Sequence, residues 1–344
     1  QALAIPATMA LSIVPETGEI DKMLAAAEKK VYEGDFKQAA GLLDQLLKKQ
    51  PKHLDALDLY AKGAMDAGMT PLAIKILKKS ISIDPRTYHR WMNLGQLQGG
   101  LTALKCYRQG IQCMESELSA FKIASDQKQM RQISTEIASA YASIAELYVT
   151  DLCDENGAEK ECESALKCAF KASEESAEAH YGAANLRFIQ GRKAEAKGHL
   201  GKSFEIIKKQ AAESHSGSSR DEGGYEHTYN FRLSVTELCI EMGEFEAASE
   251  LIDRLLEEDN RISRVWYFAA LCSFKLDDVE SAEQYLERTI SFFKKNPSEE
   301  PELQGACKEL HSAIQNALKQ TGNRSSEIAP NPTKSNGAAM MEDD

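Results

Sequence analysis

Long hydrophobic runs are missing from this sequence, and several other features are scarce. No window reaches 18 uninterrupted apolar residues, so the sequence predicts no membrane-spanning helix. Aromatic residues make up 7%, with 21 Gly and 9 Pro among 344 residues, which is sparse for a β-sandwich and ordinary for a helical protein. Basic residues number 41 against 53 acidic ones, a net charge of −12. We expect an all-α protein that binds no nucleic acid directly and whose partner is a basic protein or peptide.

Motifs for catalysis and metal binding are also absent from the sequence. The seven histidines contain no pair at zinc-ligand spacing, and no Cys-x-x-Cys occurs. Gly201-Lys202-Ser203 ends like a phosphate-binding loop, but Ala196 stands where that motif needs its first glycine. No nucleophile has a recognisable base. We therefore predict no metal, no cofactor and no enzymatic activity. Eight cysteines without a secretory signal indicate reduced thiols in an intracellular protein.

A 34-residue period is the strongest signal that is present. Pro51 and Pro85 are 34 residues apart, and so are Ala39 and Ala73. This is the period of a tetratricopeptide repeat, in which small residues let two helices approach closely and a proline ends the second helix. The pattern recurs to the seventh repeat, which contains Trp266 and Ala282. A right-handed tetratricopeptide-repeat solenoid of about seven helix pairs is the predicted fold, with a C-terminal capping helix from Pro301 to Lys319.

Irregular segments interrupt this period and define the predicted domains. After Gly95 the register shifts by one helical turn, and we expect a long helix from Leu101 past Met130. We predict an extended N-terminal segment over residues 1–19, the solenoid over 20–320 with a mobile loop at 211–224, and a disordered tail over 321–344.

Acidic residues recur at positions of the first helices that face the concave side of such a solenoid. An electronegative groove of this kind attracts Lys- and Arg-rich segments. A solvated acidic face in an acidic protein is the alternative for any one residue. The candidate client-binding residues read from these positions, with Glu136 just before the fourth repeat, are Asp55, Asp58, Asp66, Glu136, Glu146, Glu178, Glu237 and Glu241.

Two segments that depart from the repeat consensus carry a resemblance to a known family. They are 91–100, read as Trp-Met-Asn-Leu-Gly-Gln-Leu-Gln-Gly-Gly, and 143–153, read as Ser-Ile-Ala-Glu-Leu-Tyr-Val-Thr-Asp-Leu-Cys. Over residues 20–320 the chain resembles the dedicated assembly chaperones of the fourth large-subunit ribosomal protein. The resemblance implies an α-helical solenoid that captures the basic internal loop of its newly made client and accompanies it to the nucleus for pre-60S assembly.

The same resemblance implies that Glu146, Tyr148 and Asp151 contact the client. The repeat register agrees for Glu146 but puts Tyr148 at a position where packing is usual. We expect a monomer in the cytoplasm and nucleus. The competing interpretation is a generic repeat scaffold or co-chaperone that joins other proteins. The carboxylate clamp of heat-shock co-chaperones is not present, because Tyr181 stands where that clamp needs a lysine.

Overall fold

The described residues of this computed structural model, 17–215, 227–295 and 301–327, form fifteen α-helices and no strand. The chain divides into two compact units, Gln1–Gln190 and Gly191–Asp344. The N-terminal unit contains α1 Thr17–Tyr32, α2 Phe36–Lys49, α3 Leu54–Asp66, α4 Thr70–Ile83, α5 Tyr88–Gln96, α6 Gly100–Ala124, α7 Gln127–Val149, α8 Ala158–Ala172 and α9 Ala177–Ile189. The C-terminal unit contains α10 Lys193–His215, α11 Tyr229–Met242, α12 Phe245–Glu258, α13 Ser263–Lys275, α14 Val279–Lys295 and α15 Pro301–Glu327. In the described residues fourteen helices precede α15, which is the number that the predicted seven pairs require.

Small residues bring the paired helices together, as the repeat pattern predicts. Ala39 and Ala73 are completely buried, and leucines such as Leu43 and Leu77 fill the space between the helices. Gly34, between α1 and α2, has a φ of 75°, a left-handed conformation that glycine adopts without strain. The corresponding turn between α13 and α14 uses Asp277 instead, with a φ of 64°.

The same helix corner occurs once in each unit. Between α4 and α5, Asp84 accepts hydrogen bonds from the backbone N–H (3.2 Å) and the Nε (2.9 Å) of Arg86. Trp91 Nε1 then donates to the carbonyl six residues earlier, at 2.7 Å. Between α12 and α13, Asp259, Arg261 and Trp266 make the equivalent bonds. Both tryptophans are half-buried and anchor the start of a first helix.

The long helix predicted from Leu101 past Met130 is broken, and that expectation was wrong. Ser125 has a φ of 56°, and its N–H reaches back to the carbonyl of Lys122. Asp126 then caps α7 by accepting a hydrogen bond from the N–H of Gln129 at 3.1 Å. A capping aspartate after a left-handed residue ends one helix and begins another, which hydrophobic periodicity alone does not reveal.

The helix ends differ in places from the predicted segment bounds. Helix α1 begins at Thr17, α10 reaches His215 within the predicted loop 211–224, and α15 extends past residue 320 to Glu327. Residues 1–16, 216–226 and 328–344, on which the rest of those expectations falls, lie outside the described residues. Within the described ranges, no helix is both long and apolar enough to cross a membrane.

Candidate functional site

Four glutamates of the N-terminal unit form what we call the acidic strip: Glu117 of α6, Glu136 and Glu146 of α7, and Glu178 of α9. Helices α5, α7 and α9 are first helices of successive repeats, and α7 and α9 are in contact. Tyr88, at the start of α5, is buried, and burial is the main cause of its raised pKa. The negative charges of Glu136 and Glu117 raise the pKa of Tyr88 further, so both glutamates lie near it. Glu117, Glu136 and Glu178 therefore come together from three repeats, and Glu146 lies about 15 Å from Glu136 along α7.

Three of these carboxyl groups are partly desolvated. Burial raises the pKa of Glu117, Glu136 and Glu146 above the ordinary glutamate value. For Glu136 the negative charge of Glu178 adds to the effect. Glu178 itself accepts a hydrogen bond from Ser176 Oγ at 3.1 Å. Carboxylates that are short of solvation and near one another gain free energy when a cation approaches.

Glu146 is exposed to solvent and partly desolvated at the same time. Its side chain is exposed to solvent, yet surrounding protein still raises its pKa. A carboxylate with protein atoms packed around it loses part of its hydration even when one side stays open to water. Glu146 is therefore accessible to a ligand and poorly solvated without one.

Asp58, another candidate, is already engaged within the protein. Arg90 Nη2 donates to its carboxylate at 2.8 Å and Arg90 Nε at 2.9 Å, while Ser80 Oγ donates at 2.8 Å. The Arg90 side chain is 6% exposed, and its remaining Nη1 donates to the carbonyl of Asp84. Asp58 thus neutralises a buried guanidinium, a structural role that the repeat register does not reveal.

Asp151 also has a structural contact, between the two segments that carry the resemblance. Its Oδ2 accepts a hydrogen bond at 2.8 Å from the backbone N–H of Gly100, 51 residues away. A Cβ on Gly99 would lie 2.8 Å from the same oxygen. The Gly-Gly pair and the aspartate therefore fit one another, which explains why both segments depart from the consensus together.

The other candidates have simpler positions. Asp55 and Asp66 are exposed on α3. Tyr148 is half-buried and packs against the core of the N-terminal unit, as the repeat register predicts. In the C-terminal unit, Glu237 pairs with Arg264 Nη1 at 3.2 Å and Glu241 is exposed. Of the candidates in the N-terminal unit, the structure therefore brings Glu136 and Glu178 close enough to interact, with Glu146 further along α7. Asp55, Asp58 and Asp66 all lie on α3.

Glu117 and Tyr88 belong to the acidic strip and its surroundings but were missed by the sequence analysis. Glu117 lies on a second helix, which the repeat register assigns to the convex side. Helix α6 is longer than the regular second helices α2 and α4, and this extra length is what carries Glu117. The length of the segment between Gly100 and Ser125 was the available signal.

Comparisons with known proteins agree with the fold and the predicted resemblance. A tetratricopeptide-repeat family model matches residues 24–96 and 240–299. A solved structure of an assembly chaperone of RpL4 (Acl4) is 21% identical and aligns with a TM-score of 0.58, covering 77% of this chain and 99% of that chain. The chain is thus an all-α tetratricopeptide-repeat solenoid, as predicted.

One curated relative indicates which kind of tetratricopeptide-repeat protein this chain resembles. A curated protein of Schizosaccharomyces pombe, named "Probable assembly chaperone of rpl4", is 29% identical over 254 residues, or 72% of this chain and 71% of the relative. The resemblance to tetratricopeptide-repeat assembly chaperones of the fourth large-subunit ribosomal protein is therefore confirmed.

Proposed function

We propose that this chain is a dedicated, non-enzymatic chaperone of the fourth large-subunit ribosomal protein. It holds the basic internal loop of the newly made client against the acidic strip, in the cytoplasm and then the nucleus, until the client joins the pre-60S particle. The curated relative supports the client's identity. The acidic strip supports the mode of binding, because its carboxyl groups have raised pKa values from partial burial.

Desolvation makes these carboxylates better partners for cations than fully hydrated ones. The free energy lost when protein displaces water from a carboxylate is partly recovered when a guanidinium or ammonium group binds. A basic loop without its RNA carries uncompensated positive charge and stays extended. The strip substitutes for RNA phosphate until the client reaches rRNA, whose denser line of charge competes for the same side chains.

Neutralisation of the strip tests this proposal directly. We expect the triple variant Glu117→Gln, Glu136→Gln and Glu146→Gln to bind the purified ribosomal protein about tenfold more weakly, equivalent to about 1.4 kcal/mol. Affinity is measured by titration calorimetry at low and moderate salt. The triple variant should also show a shallower salt dependence than the unmodified chain, because fewer charges take part.

A matched control separates the strip from overall charge. Three exposed glutamates on second helices of the C-terminal unit give the same change in net charge when replaced by glutamine: Glu205, Glu246 and Glu280. Equal loss of affinity in both triple variants would mean that net charge, not the strip, attracts the client. Unchanged affinity in both would favour a scaffold that uses another surface.

A further inference from the structure

A cavity lies on the other side of α7 from Glu146. It is bounded by α6, α7 and α8 and has a volume of about 310 Å³. The residues that matter for its chemistry, which we call the tyrosine pocket, are Arg108, Glu115, Tyr141, Tyr148, Glu161 and Cys168. Consecutive helix residues are rotated by about 100°, so Tyr141 and Tyr148 lie about 140–160° around α7 from Glu146. The pocket is therefore separate from the acidic strip.

Each helix contributes residues spaced by one or two turns. Helix α6 provides Arg108 and Glu115, which are seven residues apart, and α8 provides Glu161 and Cys168 at the same spacing. This spacing places each pair on one face of its helix. The volume is at the lower end of the range for ligand pockets and suits one long side chain.

The chemistry of the lining selects a cation. Tyr141 and Tyr148 are half-buried and supply aromatic rings, which attract cations. Glu115 lies close enough to Tyr141 for its charge to contribute to the raised pKa of that phenol, after burial and the contribution of Cys168. Two exposed carboxylates, Glu115 and Glu161, outnumber the one guanidinium, that of Arg108.

We propose that the tyrosine pocket binds one arginine side chain of a basic segment, as a second contact point that lies apart from the acidic strip. The guanidinium stacks on the tyrosine rings and donates hydrogen bonds to Glu115 and Glu161. This proposal depends on the proposed function, because the bound segment belongs to the same basic client. A client held at two points on opposite sides of α7 dissociates more slowly than one held at either point.

Cys168 provides a readout that does not depend on client binding. The intact chain is treated with N-ethylmaleimide, and modification of each cysteine is followed over time by mass spectrometry. The probe is an acetylated, amidated nonapeptide of alternating Gly and Arg, and its control carries citrulline, which is uncharged, in place of arginine. We expect the arginine peptide to slow modification of half-buried Cys168 about fivefold, while exposed Cys153 is unaffected.

Variants of the pocket test the mechanism. Glu115→Gln with Glu161→Gln changes exposed residues and should remove most of the protection of Cys168. Ser164→Leu adds bulk at an exposed lining position and should abolish protection without any change in charge. The acidic-strip triple variant should keep the protection. Equal protection by the citrulline peptide, or undiminished protection in the pocket variants, would overturn the proposal.

A peptide of the opposite charge provides a further test. If Arg108 dominated the pocket, a nonapeptide of alternating Gly and Asp would protect Cys168 and the arginine peptide would not, which would overturn the proposal. Failure of the ribosomal protein to bind, with Cys168 still protected by the arginine peptide, would refute the proposed function and support the pocket.

Discussion

Asp58 is the candidate residue at which a structural role competes with a role in binding, and its replacement by asparagine tests which one dominates. The change removes the counter-charge of Arg90, whose side chain is 6% exposed. Loss of one partner from a fully buried ion pair costs about 3–5 kcal/mol. Asp58 is itself 37% exposed, and the Asp84 carbonyl still accepts from Arg90, so water and this contact recover part of the loss. We expect a destabilisation of about 2 kcal/mol, roughly a 30-fold change in the unfolding equilibrium.

Urea unfolding followed by tryptophan fluorescence measures this loss where it occurs. In a Trp266→Phe background, Trp91 is the remaining tryptophan, and it lies directly beside Arg90 in α5. Asp66→Asn, an exposed acid on the same helix as Asp58, is the control and should change stability by less than about 0.5 kcal/mol. The double variant Asp58→Asn with Arg90→Met removes both charges and should be more stable than Asp58→Asn alone. Equal stability of Asp58→Asn and Asp66→Asn would refute the reasoning.

Three further predictions follow from the packing, the turns and the pKa shifts. Gly95→Ala places a Cβ 2.7 Å from the buried ring of Tyr107 and should lower the free energy of unfolding, measured by chemical denaturation, by about 1–3 kcal/mol. In Gly110→Ala the new Cβ would lie 2.9 Å from the sulfur of the flexible Met92 side chain, so the loss should be much smaller. Equal losses would contradict the packing argument. Asp277→Gly removes the strain of a left-handed φ and should stabilise the protein by up to about 1 kcal/mol, seen as a higher melting temperature. A lower melting temperature would mean that contacts of the aspartate side chain stabilise the fold more than the strain destabilises it. Client affinity should fall as the pH is lowered from 7 to 5. The carboxyl groups of the acidic strip have raised pKa values, so they become protonated and neutral at a higher pH than ordinary glutamates. Calorimetry at constant salt measures this fall, and an affinity that does not change with pH would exclude these groups from binding.

The same pKa shifts have the opposite effect on the stability of the free chain. A carboxyl group whose pKa is raised by folding contributes stability that is fully present below its unfolded pKa and is lost as the pH rises through its folded pKa. Glu117, Glu136 and Glu146 therefore favour the folded state more at low pH than at neutral pH. Under the proposed function, binding of a basic client at neutral pH would offset this loss of stability.

The sequence reveals the repeats well and the polar contacts poorly, for physical reasons. Ala39 and Ala73 are constrained by close helix packing, so their spacing shows directly in the sequence. The break at Ser125 depends on one left-handed residue and one capping aspartate, which any helical periodicity masks.

Contacts between distant segments were equally hidden in the sequence. The role of Asp151 depends on Gly100, 51 residues away, and the pairing of Asp58 with Arg90 spans 32 residues. Acidic residues at groove positions thus divide into those that stabilise the fold and those that remain available, and the division needs three-dimensional contacts. Glu146 remains available, while Asp58 and Asp151 have partners within the chain.

The most direct test of the central claim is recovery of partners from an extract of ribosome-synthesising cells, with the unmodified chain and the acidic-strip triple variant compared side by side at low and moderate salt. The account predicts that mass spectrometry identifies the fourth large-subunit ribosomal protein as the dominant partner of the unmodified chain, weakened by salt and depleted with the triple variant. Recovery of that protein equally with both chains would contradict the role of the strip, and recovery of heat-shock chaperones or many acidic proteins instead would contradict the proposed function.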